Sequence, residues 1–290
     1  MGAGVGYRGR VDLRTQSQAE LVAHVERAVG VRLRPDQAVC KRRSLGLPTE
    51  RGTWARISVC GSEDAAQRGG LEGTAALPIA VRHPRWQQGS CWREGQLLWR
   101  VDETELITDP VVQSGGILTY DPELPQVWFQ NLADALDTLT TVPTARVATP
   151  HTRPITQQRV TEMLQVVFPQ IDATVEEWTV AHADLSWVNL TAPSCRVLDW
   201  EDWGIAPRGW DAATLLINSL AVPTLARQVA EYFAADLTSR TGRVCQLYAC
   251  AELIAAGEDY AGPLAGPVRE HADLLLTRLG YARLVAAGSA

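Results

Sequence analysis

In the segment AHADLSWVNL, residues 181–190, His182, Asp184 and Asn189 stand in the order H-x-D-x-x-x-x-N inside a mostly apolar stretch. The residues that follow, WVNLTAPSCRVLD, read as strand, Pro-Ser turn and strand, ending at Asp199. A turn centred on Pro193 and Ser194 places Asn189 opposite Leu198 and Asp199. Two oxygen-bearing side chains brought together in this way suit a hard cation such as Mg²⁺, which takes few protein ligands and completes its shell with phosphate oxygens. Asp184, outside that pair but close, is placed to orient a hydroxyl and accept its proton. The competing structural reading makes Asp184 a turn or capping residue and His182 a packed core histidine.

The elements that must position these groups differ along the chain. Residues 17–29 carry Leu21, Val22, Val25 and Val29 at helical spacing. QAVCKRRSLG and TWARISVCG flank LPTERG, whose Pro and Gly predict a hairpin turn. LPIAVRHP reads as a third strand stopped by Pro84, WREGQLLWRVDETELIT as a helix, and VVQSGGILTY as two short strands. From about Pro122 the pattern turns helical. PELPQVWFQNLADALDTLTT, ITQQRVTEMLQVVF, WDAATLLINSLA, PTLARQVAEYFAADL, RVCQLYACAELIAA and VREHADLLLTRLGYARLVAA all carry a helical period. Strands first and helices after predict an α+β plan with two lobes, residues 1–119 and 120–290. GAGVG near the start follows no strand and opens no helix, so it reads as a tail, not a nucleotide fingerprint.

Composition narrows the function. The chain has 290 residues and a formal net charge of −6, with the acidic excess after residue 170. That balance argues against nucleic acid, which needs a basic surface to replace condensed counterions. No apolar run reaches the length of a membrane span and the first residues lack an apolar signal core, so a cytoplasmic protein is expected. The six cysteines form no C-x-x-C pair and read as reduced thiols. Lys41 is the only lysine.

HADLSWVN followed by LDWEDWG resembles the catalytic loop H-R-D-x-x-x-x-N and metal-binding D-F-G of protein kinases. A small residue after the histidine, and D-W-E for D-F-G, are similar to the aminoglycoside phosphotransferase and choline kinase family. The resemblance implies a two-lobed protein-kinase-like fold and ATP (or GTP) with Mg²⁺ as cofactors. It implies Asp184 as the base, Asn189 and Asp199 as magnesium ligands, and His182 as a brace of the loop. Asp211, in PRGWDAATLL, matches the buried aspartate that holds the loop's backbone; a helix N-cap is its structural alternative.

The chain also departs from that pattern. It has no G-x-G-x-x-G, and SLGLPTERG is the only cover the first hairpin offers for the phosphates. On the expected third strand the phosphate-binding lysine is replaced by Arg82, which binds as a fork and not as a point charge. Lys41, with Arg42 or Arg43, is the alternative. Glu103, with Glu105 close behind, is the expected partner acid on the following helix. Without the arginine of H-R-D, regulation by activation-loop phosphorylation is not expected.

For the acceptor, Trp187, Trp200, Trp203 and Trp210 cluster around the motif, and Glu201, Asp202, Glu258 and Asp259 add negative charge. Aromatic faces with carboxylates suit an amine-bearing, hydroxyl-carrying small molecule. Tryptophans packed into the core are the alternative, and a sugar hydroxyl or a peptide serine or threonine also fits. A nucleotide-binding pseudokinase scaffold is the contrasting class, favoured by the missing lysine and glycine-rich loop and opposed by the retention of Asp184, Asn189 and Asp199.

Overall fold

Residues 17–60 open with a helix on a sheet, because their apolar residues fall first at helical and then at alternating spacing. The computed structural model describes residues 11–15, 17–60 and 71–281; GAGVG lies outside them. They divide into two compact units, the described residues up to 79 with 83–108, and 80–82 with those from 109 onward.

In the first unit, helix α1 (Ala19–Val29) buries Leu21, Val25 and Val29. Strands β1 (Val39–Cys40), β2 (Ser44–Pro48), β3 (Thr53–Cys60), β4 (Trp86–Glu94) and β5 (Leu97–Glu105) form one antiparallel sheet in the order β1-β2-β3-β5-β4. One sheet face carries Leu45, Leu47, Ala55, Ile57, Trp99 and Val101 into a common core with α1. Burying these side chains contributes roughly 1.5–3 kcal/mol for each large one. The turn of LPTERG closes β2 onto β3 through Thr49 N–H to Thr53 O at 2.9 Å, as the sequence predicts.

Three readings are corrected here. WREGQLLWRVDETELIT is a hairpin, β4 and β5, turned at Gly95 with φ 58°. Its β4 half alternates in exposure, and β5 is buried on both faces as a strand between two neighbours, which hides the alternation a strand otherwise shows. LPIAVRHP is not a strand; Ile79–Val81 is a 3₁₀ turn, followed by Arg82 at φ 63°. A residue in that left-handed region breaks an extended run. VVQSGGILTY forms no ladder among the described residues, only an isolated bridge between Val111 and Thr191.

The second unit contains α2 (Gln126–Thr140), α3 (Gln157–Val167), the antiparallel pair β6 (Trp178–Ala181) and β7 (Gly204–Pro207), then α4 (Trp210–Ile217), α5 (Pro223–Tyr232), α6 (Ala234–Thr238), α7 (Arg240–Ala256), α8 (Glu258–Ala261) and α9 (Ala265–Arg278). α2 buries Trp128, Phe129, Leu132, Ala135 and Leu139, whereas Val127 stays exposed. α7 packs against α3, α4 and α9. Almost every residue of α4 is buried, and Asp211 stands in its first turn. Among the described residues no helix is long and apolar enough to cross a membrane.

Candidate active site

Strand β6 delivers the loop beginning at His182, and α4 anchors it. The Asp211 carboxylate accepts the main-chain N–H of His182 at 2.7 Å and of Ala183 at 2.8 Å. Ala183 has φ 71°. That left-handed conformation is costly for any residue with a Cβ, so the loop must be held in place from outside. Burial pushes the Asp211 carboxyl up to about 6, against the two N–H bonds that favour its ionised form. Asp211 therefore holds the loop's main chain from inside the helix's first turn.

His182 is fully buried and meets the Trp200 ring edge to face at 4.6 Å between centroids. Its Nε2 is 2.8 Å from Leu198 O, and its Nδ1 accepts the Asp184 N–H at 3.3 Å. These partners define a neutral ring protonated on Nε2. Burial lowers its pKa to about 4, so the ring stays neutral. One side chain thus ties the loop carrying Asp184 to the residue preceding Asp199.

The expected register across the Pro-Ser turn is present at its inner positions. Leu190 bridges Val197, and Leu198 N–H donates to Asn189 O at 2.7 Å. Trp187–Asn189 is a 3₁₀ turn, however, so the two arms are bridged segments and not full strands. The Asn189 amide donates to Asp184 O at 2.8 Å and to Asp184 Oδ2 at 3.0 Å. Asp199 sits at φ 64°. Burial first, then the charges of Asp199 and Asp202, push the Asp184 carboxyl up to about 6; the Asn189 bond and His151 oppose that rise. Burial likewise raises Asp202, against a bond from Thr149 Oγ1 at 2.9 Å. Asp184, Asp199 and Asp202 are thus mutually repelling carboxylates around one loop.

The other predicted residues are placed differently. Glu103 lies on β5, not on a helix, buried with its carboxylate bonded by Thr53 Oγ1 and by Gln88 Nε2 at 2.6 Å. The Arg82 guanidinium donates to Ser194 O at 3.0 Å and Asn131 Oδ1 at 2.8 Å, so it ties together parts of the second unit. Lys41 is exposed at the turn between β1 and β2. The third strand of the sheet is β3, and its cation is Arg56, in register with Gly46 of β2 and Asp102 of β5. Strand parity puts Arg56 and Asp102 on the face opposite Glu103. Sequence reasoning missed Arg56, although TWARISVC places it as the lone charge of an alternating strand. On β2, the Trp54 ring covers Gly46 so closely that a Cβ there would lie 2.1 Å from it.

Of the two readings of the four tryptophans, acceptor-facing or packed into the core, the structure shows the core one. Trp187, Trp200, Trp203 and Trp210 are all buried. Trp187 donates to Ser219 Oγ at 3.0 Å, Trp200 to Val197 O at 2.7 Å and Trp210 to Ala183 O at 3.3 Å. They are core residues that stiffen the loop. Glu258 and Asp259 are exposed at α8.

Residues 92–250 match the phosphotransferase enzyme family (APH), and the chain belongs to that family. Among similar solved structures is aminoglycoside phosphotransferase APH(4)-Ia, at 14% identity and a TM-score of 0.58, covering 90% of this chain and 99% of that one. Macrolide 2′-phosphotransferase MphH from Brachybacterium faecium, at 14% identity and 0.55, covers 94% and 100%. The GDP complex of aminoglycoside 2′-phosphotransferase-IIIa, at 15% and 0.56, covers 88% and 98%. Comparison with curated protein sequences gives no match.

Proposed function

We propose that this protein transfers the γ-phosphate of a nucleoside triphosphate to a hydroxyl of a small molecule. The observation that carries the reading is the bonding of Asp184: its main chain is held by His182, its carboxylate by Asn189, and burial, followed by neighbouring charge, raises its basicity. A carboxylate with a pKa near 6 accepts a hydroxyl proton more readily than an ordinary one and is still ionised at neutral pH. In this reading Asp184 orients the acceptor hydroxyl and takes its proton as the oxygen attacks phosphorus. His182 and Asp211 keep the loop's main chain in place.

The donor chemistry fits Mg²⁺. The Asn189 carboxamide oxygen and the Asp199 carboxylate are hard oxygen donors, and the mutual repulsion of Asp184, Asp199 and Asp202 favours a cation nearby. Among the described residues no group of three or more His, Cys, Asp or Glu side chains could hold a metal ion. Bound there, Mg²⁺ would neutralise charge on the phosphate oxygens. Arg56 takes the role of the third-strand cation, and Lys41 is the alternative. Nucleotide complexes are known for relatives of the fold, with GDP in aminoglycoside 2′-phosphotransferase-IIIa and with AMP-PNP and Ca²⁺ in amicoumacin kinase hAmiN. Aminoglycoside-like and amino-alcohol compounds are the acceptors to try first.

A thermal-shift titration tests the reading. ATP or GTP with Mg²⁺ raises the melting temperature, the rise shrinks in Asp199→Ala, and slow nucleotide hydrolysis disappears in Asp184→Asn. A mass-spectrometric screen of hydroxyl compounds for the gain of one phosphate then identifies the acceptor. Binding without transfer or hydrolysis would favour the pseudokinase scaffold, and no nucleotide effect would overturn both readings.

A further inference from the structure

The turn after Asp199 has three successive carbonyls bound by one distant segment of the chain. Arg146 donates through Nη2 to Glu201 O and through Nε to Trp203 O. Between them, the Thr149 N–H donates to Asp202 O at 2.9 Å, while its hydroxyl donates to Asp202 Oδ1 at 2.9 Å. The Arg146 guanidinium also stacks over the Trp203 ring, 5.6 Å from its centroid. The contact continues as Ile205 N–H to Arg146 O at 2.7 Å and Ala148 N–H to Ile205 O at 3.0 Å. Gly204 is where the two backbones meet, since a Cβ there would lie 2.6 Å from Ala148 N. On the other side of Asp199, Leu198 is held by Asn189 and His182.

Asp199 therefore occupies its left-handed conformation with both flanks bound. Such a conformation persists only where the surroundings over-determine it. The rigid guanidinium fork spans two carbonyls at once, which the single ammonium of lysine does less well.

We infer that Arg146 and Thr149 are positioning residues that hold the 199–203 turn so that Asp199 is set for a nucleotide-bound divalent cation. The inference rests on the phosphotransferase reading above. Groups that orient metal ligands from behind commonly alter metal affinity by 10–100-fold when removed.

The test uses the full chain and Mg²⁺ with ATP as probes. At constant ATP, the Mg²⁺ concentration giving half of the ATP-induced rise in melting temperature is measured for wild type, Arg146→Ala, Arg146→Lys and Thr149→Val. The half-point is expected to rise about tenfold or more in Arg146→Ala, less in Thr149→Val, and to an intermediate value in Arg146→Lys. A merely structural role would lower the ligand-free melting temperature and leave the Mg²⁺ half-point in place. If Arg146→Ala does not fold, Arg146→Lys and Thr149→Val decide. An unchanged half-point in the folded variants overturns the inference. Absence of any Mg²⁺-dependent effect in wild type overturns the phosphotransferase reading itself, and the positioning role falls with it.

Discussion

Asn189 donates its side-chain amide to both the main-chain carbonyl and the carboxylate of Asp184, at 2.8 and 3.0 Å. The residue proposed to hold the cation and the residue proposed to accept the proton are thus a bonded pair. Asn189→Ala is expected to loosen the Asp184 carboxylate and remove a cation ligand together, lowering turnover by at least about 100-fold. Steady-state kinetics against Mg²⁺ concentration measures it.

In the proposed role Asp184 must be ionised to accept a proton, and burial raises its carboxyl to about 6. Activity is expected to fall as pH drops through about 6, well above the ordinary aspartate value. Changing Asp202→Asn removes one of the repelling charges and should move that acid limb to lower pH. A pH–rate profile of both proteins reads this directly; an unmoved limb would falsify the assignment of Asp202 as a contributor.

His182 and Asp211 oppose one another in the pH dependence of stability. His182 is lowered from 6.5 to about 4, so between those values the unfolded chain binds a proton that the folded chain refuses. Stability falls as pH drops through that window. Asp211 is raised from 3.8 to about 6, so its folded form keeps a proton that the unfolded chain has released, and this contribution is lost as pH rises toward 6. Asp211→Asn should therefore leave a steeper loss of stability on acidification from pH 6 to 4. It also withdraws one acceptor from a buried N–H, at a cost of about 1–3 kcal/mol. Urea unfolding across that pH range checks both effects.

Gly204→Ala would drive a Cβ to within 2.6–2.7 Å of the backbone at Arg146, Val147 and Ala148. Neither side can yield without breaking the bonds between the two segments, so a loss of about 3 kcal/mol or more is expected. Thermal unfolding gives the value.

Three cations are candidates for the proposed phosphate role. Arg56→Ala is expected to weaken nucleotide binding about tenfold, equivalent to about 1.4 kcal/mol. Arg82→Ala should instead lower the melting temperature, because it removes bonds to Ser194 and Asn131. Lys41→Ala, at an exposed turn, should change neither. Calorimetric titration with nucleotide separates the three.

The arrangement of the proposed catalytic segment was legible in the linear chain because its contacts are local. His182, Asp184, Asn189 and Asp199 lie within one loop and one turn, and the turn's register follows from Pro193 and Ser194. The helices of the second unit were legible for a similar reason, since one apolar side per helix leaves a period in the sequence. Strand β5 was not. Its neighbours on both edges and cover on both faces bury Arg100, Asp102 and Glu103 as fully as Trp99 and Val101, and mutual pairing is what makes that possible. LPIAVRHP, read as the third strand, had placed the expected cation at Arg82, and β5, read as a helix, had placed the expected acid at Glu103.

By itself, then, the amino-acid sequence determined the order of acid, amide and acid that suits phosphoryl transfer, and the two-lobed α+β plan. Only the tertiary structure decided that Arg56 is the cation of the third strand, that the tryptophans are core, and that Arg146 and Thr149 clamp the turn after Asp199. Those relationships join residues far apart in the chain, and hydrogen bonds between distant main-chain groups leave no trace in spacing or composition.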